Sequence, residues 1–179
     1  MHPDTFDFGL GPVPAHKHAN GGGWVADTAT VDGAAYVGPN AWVFGNAWVS
    51  SNAWVSGNAR VSGNARVSGD ARVSGDARVS GDARVYGNAW VYGNAWVSGN
   101  ARVSGNAWVE RSTDYLLIGP LGSREAFMTW TRSDNCIATG CFRGTVAEFL
   151  AAVQETHGDN EHAKAYRAAV TMIDAIRGG

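Results

Sequence analysis

The residues able to do chemistry gather at the two ends of this chain. Near its start, "PAHKHANGGGW" sets His16 and His18 two apart, so an extended backbone carries both imidazoles on one face. A metal would need one or two further ligands. His2 and Asp4 are conceivable partners, but no spacing fixes them. Toward the other end, Cys136 and Cys141 stand five apart, with His157 and His162 beyond. Zinc sites favour tighter cysteine spacing, so these thiols are read as core-facing or half-buried. Cys141 and His157 have the residue types of a nucleophile and its base, without a recognisable third group to orient the base. No catalytic residue, metal site or cofactor is assigned. Ser123 and Arg124 follow Gly122 in a loop whose backbone N–H groups and guanidinium can hold an anion, although the motif falls far short of a Walker loop. Ser123, Arg124, Arg143, His157 and Asn160 form the candidate ligand-binding set, and the expected ligand is an anionic small molecule such as a nucleotide.

Composition narrows the setting. A net charge of −2 over 179 residues supplies no global field for nucleic acid or an anionic membrane. No apolar run approaches the ~20 residues of a membrane span. The N-terminus lacks the basic start and apolar core of a secretory signal, so the expected location is the cytoplasm. Two cysteines are too few for a disulfide framework. The 24 Gly and 8 Trp trace largely to a repeat between the two ends.

Valine recurs every six residues from Val25 to Val109, fifteen times without a slip. A small residue precedes each by two: Gly23, then Ala29, Ala35 and onward to Ala107. Residues two apart on a strand share a face, so Ala and Val point inward and the residue between them points out. Gly followed by Asn or Asp is turn chemistry and closes each unit. A strand-plus-corner unit cannot bury its apolar face alone, so units must stack. Three hexapeptides close a triangular coil, and fifteen units give five coils, about 24 Å tall at the usual strand spacing.

The pattern V-x-G-[ND]-A-x, as in "VSGNAR" and "VSGDAR", resembles the hexapeptide-repeat family of left-handed parallel β-helices. The resemblance implies left-handed crossovers, an exception to the usual rule for parallel strands. Many members are trimeric acetyl-CoA-dependent acyltransferases with a histidine near a coil edge and a loop interrupting the repeat. Here no histidine lies between Gly23 and Arg111, and the period never breaks. A general base must reach its proton, so acyl transfer stays as an alternative only with a base outside the repeats.

Residues 18 apart should lie above one another. One face then reads Trp24, Trp42, Arg60, Arg78, Trp96; a second Thr30, Trp48, Arg66, Arg84, Arg102; a third Tyr36, Trp54, Arg72, Trp90, Trp108. Rows of Trp and Arg suit an interface. Trp42, Trp48, Trp54, Trp90, Trp96 and Trp108 are the candidate interface residues of a homotrimer or homodimer. Asp70, Asp76 and Asp82 fill three consecutive corners, each two residues before an Arg, and are expected to offset the Arg rows at that level.

The expected fold is mainly β: a cap segment over residues 1–23, a left-handed parallel β-helix of five triangular coils over 24–109, and a small β-β-β-α-α domain over 110–179. In the last, strands are expected at Tyr115–Ile118, Ala126–Thr131 and Cys136–Phe142, with "GPLGSRE" as a turn or loop. Thr145 and Glu148 form a capping box for a first helix that presents Val146, Phe149, Leu150 and Val153 and ends at Gly158. A second helix from about Asn160 to Arg177 presents Tyr166, Ala169, Val170, Ile173 and Ile176. "DYLLIGPLGSREAF" and "CFRGTVAEFLAAVQETHGDNEHAKAY" resemble a small domain joined to hexapeptide repeats in uncharacterised bacterial and phage proteins, which implies architecture and a phage setting, not chemistry. The functional expectation is a non-catalytic oligomeric scaffold that binds or sequesters the anionic ligand, with acyl transfer and a purely structural particle component as alternatives.

Overall fold

The computed structural model describes residues 4–178. Two strands, β1 (Thr5–Asp7) and β2 (Pro12–Lys17), precede fifteen strands at six-residue steps. These are β3 (Trp24–Ala26) and then β4 to β17, the pairs Thr30–Val31 and Tyr36–Val37 through Trp108–Val109. They form three parallel five-strand stacks, the faces of a five-coil triangular solenoid. Pairing runs Trp24, Trp42, Arg60, Arg78, Trp96 on the first face. The second runs Thr30, Trp48, Arg66, Arg84, Arg102, and the third Tyr36, Trp54, Arg72, Trp90, Trp108. Every step is 18 residues, as the sequence requires. Inside, Ala35 to Ala107 and Val37 to Val109 form one fully buried column.

Each unit spends its backbone polar groups on the coil above. The outward residue's N–H donates to an Ala carbonyl 17 residues on (Trp48 to Ala65, 2.8 Å), and the N–H after Val donates to the next Val carbonyl (Ser50 to Val67, 2.9 Å). At the corner, the Asn N–H donates to the next Gly carbonyl (Asn46 to Gly63, 2.8 Å). That Gly sits at positive φ, for example +67° at Gly63, where a Cβ would lie 2.9 Å from the amide nitrogen of Gly81. Conformation and crowding both demand glycine there. From the second coil on, Ser51 alone takes the place of that glycine, at φ 60°; its N–H donates to the Asp32 carboxylate at 3.0 Å.

The corner aspartates have hydrogen-bond partners that spacing along the chain does not show. Asp70, Asp76 and Asp82 accept from the amides of Asn52, Asn58 and Asn64, one coil below, at 3.2, 2.9 and 3.1 Å. Among the described residues, none of them makes an ion pair with an Arg. Equivalent corners are only one strand spacing apart, so the nearest partner of a corner side chain is its own repeat equivalent rather than the Arg on the flat face.

The entry segment is a hairpin that continues the first sheet. β2 pairs antiparallel with β3, and β1 with β2, extending the first sheet to seven strands. Phe6 stacks on Trp24 at 4.6 Å, and Phe8 on Phe44 at 5.0 Å. Gly21 and Gly23 thread beneath the first coil, where a Cβ would lie 2.3 Å from the carbonyl oxygens of Val37 and Gly38.

At the other end, β18 (Tyr115–Leu121), β19 (Ala126–Thr131), β20 (Cys136–Thr139) and β21 (Phe142–Thr145) form an antiparallel sheet in that order, followed by α1 (Val146–His157) and α2 (Glu161–Arg177). The stretch expected as a third strand is thus a hairpin, because Gly140 turns at φ 54°. The expected "GPLGSRE" loop shortens, because β18 runs on to Leu121 with a register shift after Ile118. Strand alternation splits the sheet between two cores. Leu116, Ile118, Met128 and Trp130 face the helices, whereas Tyr115 and Leu117 pack on the solenoid column. Ile176 lies outside the helix core, exposed on α2 near its end.

The sheet and the turns beside it also satisfy the last coil, which has no coil above it. The N–H groups of Trp96, Arg102 and Trp108, one per face, donate to the hydroxyls of Ser112, Thr129 and Ser133 at 3.1, 2.9 and 2.7 Å. The Tyr115 hydroxyl accepts from Ser98 N–H and donates to the Trp96 carbonyl.

Two substitutions test these devices. Gly63→Ala should lower stability by about 1–2 kcal/mol, the cost of a left-handed non-glycine residue. Gly33→Ala, at an open corner without positive φ, should change urea unfolding little. Thr129→Val, nearly isosteric and buried, leaves Arg102 N–H unpaired and should cost about 1–3 kcal/mol. Unchanged amide-exchange protection at Arg102 in that variant would contradict the capping role.

Candidate functional site

The small domain carries a cleft of about 270 Å³ between the tip of the β18–β19 hairpin, the β20–β21 turn and the helices. Its floor is apolar, from Phe142, Phe149 and Val153. Its polar rim includes Ser123, Arg124, Thr139, Cys141, Thr156 and His157. Local rules place each group. Thr145 caps α1 by accepting from Glu148 N–H at 3.3 Å, and the Glu148 carboxylate accepts from Thr145 N–H at 2.7 Å. These bonds from Thr145 hold the Glu148 carboxyl below its ordinary value. Gly158, at φ 55°, ends α1 and leaves His157 in its last turn, its ring 5.8 Å from that of Tyr166. The Tyr166 hydroxyl reaches Gly122, where a Cβ would lie 1.9 Å away, so α2 seats the loop that carries Ser123 and Arg124. Arg124 makes no ion pair among the described residues; its Nη1 faces the Cys141 sulfur at 3.8 Å.

Three of the five expected ligand-binding residues, Ser123, Arg124 and His157, line this cleft together. Arg143 and Asn160 do not. Arg143 points to the solenoid: its Nε donates to the Ser104 hydroxyl at 2.9 Å, and its Nη2 donates to the Ser104 carbonyl and the Asp134 carboxylate, both at 3.1 Å. Its guanidinium occupies the space where Gly105 would carry a Cβ. With its charge met by Asp134 and two more acceptors, Arg143 serves as a joint between the parts. The Asn160 side chain accepts from Ala163 N–H at 3.0 Å and caps α2. Thr139, Cys141, Thr156 and the aromatic floor were not in the expected set; the hairpin at Gly140 brings the first two to the rim, and no spacing rule reveals that turn.

Of the other chemical candidates, Cys141 and His157 share the cleft rim, and the rest are separated. Cys136 and Cys141 lie at opposite ends of the β20–β21 hairpin, Cys136 half-buried and Cys141 exposed. Burial, then the Asp134 charge, pushes the Cys136 thiol above its ordinary value. His16 pairs with Asp27 at 2.9 Å, and His18, buried, sits 3.2 Å from the Asn20 carbonyl. His2, considered as a metal partner, lies outside the described residues. Among the described residues no three His, Cys, Asp or Glu side chains group to hold a metal, and no helix is long and apolar enough to cross a membrane.

The solenoid faces carry the candidate interface residues. Trp48, Trp54, Trp96 and Trp108 are 46%, 45%, 54% and 55% exposed. Trp42 lies under Phe6, Phe8 and the Arg60 guanidinium, the last 4.2 Å from its ring. Trp90 is half-buried against Trp108, its indole N–H donating to Ser74 at 3.0 Å.

The model of the family described as the YdcK beta solenoid repeat matches seven overlapping stretches, 53–69, 59–75, 65–81, 71–85, 77–93, 83–99 and 95–111. Most match lengths are one residue short of a full coil, and successive starts fall on the hexapeptide step. The chain is a β-solenoid repeat protein. The matches cover about a third of it and stop where the last coil ends, so the similarity lies in the repeat and leaves the small domain untouched. No curated protein and no solved structure matches the chain.

Thiol chemistry tests the cleft's geometry. Iodoacetamide at neutral pH should modify the exposed Cys141 first and largely spare Cys136. Cys136 should become reactive only as pH rises, because its raised pKa delays thiolate formation. Peptide mapping that found both modified at equal rates would contradict this placement.

Proposed function

We propose that the protein is a non-catalytic oligomeric scaffold that binds an anionic small molecule, such as a nucleotide, in the cleft of its C-terminal domain. The observation that carries the reading is Arg124: a guanidinium without a carboxylate partner among the described residues, set at the rim of an apolar-floored cleft beside Ser123 and His157. Few convergent polar groups over an apolar floor is the usual form of a small-molecule site. The aromatic floor suits a flat ring, and the cation suits a phosphate or carboxylate. Trp48, Trp54, Trp96 and Trp108, exposed on the three faces of the solenoid, support self-association, since Trp is enriched among residues that anchor contact surfaces. A cytoplasmic, phage-related sequestering role fits this layout.

The test is mass spectrometry of small molecules released from purified protein by denaturation, with oligomer mass measured on the same sample. An anionic aromatic compound should be released from an oligomer. Arg124→Ala should reduce its retention about tenfold or more, as expected for loss of one charge-assisted hydrogen bond. Retention untouched by that substitution would sink the cleft assignment, and a monomer would sink the assembly.

A further inference from the structure

The second face of the solenoid carries a site of a different kind. Arg66, Arg84 and Arg102 pair in strict register on three successive coils. They are therefore about one strand spacing, ~4.8 Å, apart at the backbone. The four ion pairs among the described residues are His16–Asp27, Arg143–Asp134, Arg167–Asp159 and Arg177–Asp174, so none neutralises this row. Guanidiniums so close repel one another, and the carboxylate beside the row, Asp82, makes no ion pair with it, so an added anion would relieve that repulsion.

A groove of about 290 Å³ runs along the row, lined by Arg66, Ser68, Arg84, Tyr86 and Arg102. All five side chains can donate hydrogen bonds, and no carboxylate lines this groove. The groove on the other side of the row is different, because Asp82 lines it. Tyr86 stands where most units carry Ser, which deepens the wall and adds a phenol at the middle of the row. Both ends of the row are already held. The Arg66 guanidinium lies 5.5 Å from the Trp48 ring, and Arg102 Nη1 donates to the Gly140 carbonyl. Arg84, between them, makes no side-chain hydrogen bond or ion pair among the described residues. Two fixed cations flanking a free one lower the ordering cost of binding.

We propose that this groove binds a linear oligophosphate, with successive phosphates bridging Arg66, Arg84 and Arg102 and with Ser68 and Tyr86 donating from the wall. Guanidinium forks match phosphate oxygens pairwise, and a chain of phosphates delivers charge along a line as the coils deliver cations. The chemistry is shared by a free inorganic chain and by the tail of a nucleoside triphosphate. This site shares no lining residue with the C-terminal cleft, although its Arg102 donates to Gly140 at the cleft's edge.

Calorimetric titration of the full chain with sodium tripolyphosphate, a nucleoside triphosphate and orthophosphate tests the proposal. Tripolyphosphate should bind once per chain, and orthophosphate about a hundredfold more weakly, since it reaches one arginine rather than three. Arg84→Ser and Arg66→Ser should each weaken tripolyphosphate about tenfold. Arg72→Ser, on the third face, and Arg124→Ala, in the cleft, should leave it unchanged. A nucleoside triphosphate that binds as tightly as tripolyphosphate, and is weakened by Arg84→Ser but not by Arg124→Ala, assigns the groove to nucleotide tails; groove binding of tripolyphosphate alone assigns it to the inorganic chain. No binding of either, orthophosphate binding as tightly, or equal loss in Arg72→Ser and Arg84→Ser would overturn the site. Loss in Arg124→Ala without loss in Arg84→Ser would place the ligand in the cleft and overturn the groove while supporting the cleft.

Discussion

Everything in this molecule depends on hydrogen bonding between coils. A two-residue strand has too few backbone bonds to stand alone, and it persists because the coils above and below complete it. That demand sets the register of 18, which in turn aligns Ala over Ala, Val over Val and Gly over Gly. Alignment of the corner glycines leaves no room for a Cβ between successive amides, so the same bonds that build the stack fix the residue at its edges. The outward position escapes all of this. It is constrained only to point away from the column, which is why it varies among Trp, Arg, Thr and Tyr.

The ends of the stack pose the remaining problem, and the two ends solve it by different means. At the first coil a hairpin continues one sheet and lays Phe6 and Phe8 over Trp24, Trp42 and Phe44. At the last, a separate sheet turns one face toward the column and offers Ser, Thr and Tyr hydroxyls to the strand edges. The Arg143 guanidinium, pressed into the space above Gly105, locks that sheet in place. The candidate cleft is built from the helices and loop tips, and one of those tips, at Gly140, also accepts from Arg102 of the solenoid.

Much of this was legible in the sequence. The period, the inward Ala and Val, the vertical rows and the α1 capping box follow from local rules that tertiary structure does not override. What was not legible depends on distant partners. Nothing near Thr129 or Ser133 says that its hydroxyl will meet a strand edge more than 20 residues away. Arg143 reads as a free cation until Asp134 and Ser104 are seen beside it. The hairpin at Gly140 hides because Cys136–Phe142 is apolar enough to pass for one strand, and its turn is what carries Cys141 to the cleft rim. The hydrogen bonds of the corner aspartates were not legible either, because spacing along the chain shows only the Arg two residues on, whereas the solenoid brings an Asn from the coil below.

The covering of both ends has a consequence for growth. An uncovered parallel edge is a template onto which another copy could add its own first coil, and the product would be a filament without a defined length. With a hairpin across part of one end and a hydroxyl-bearing sheet over the other, axial addition is obstructed at each, and the exposed tryptophans lie on the flanks. Any assembly of this chain is therefore steered sideways, where rotation about an axis can close it at a fixed number of copies.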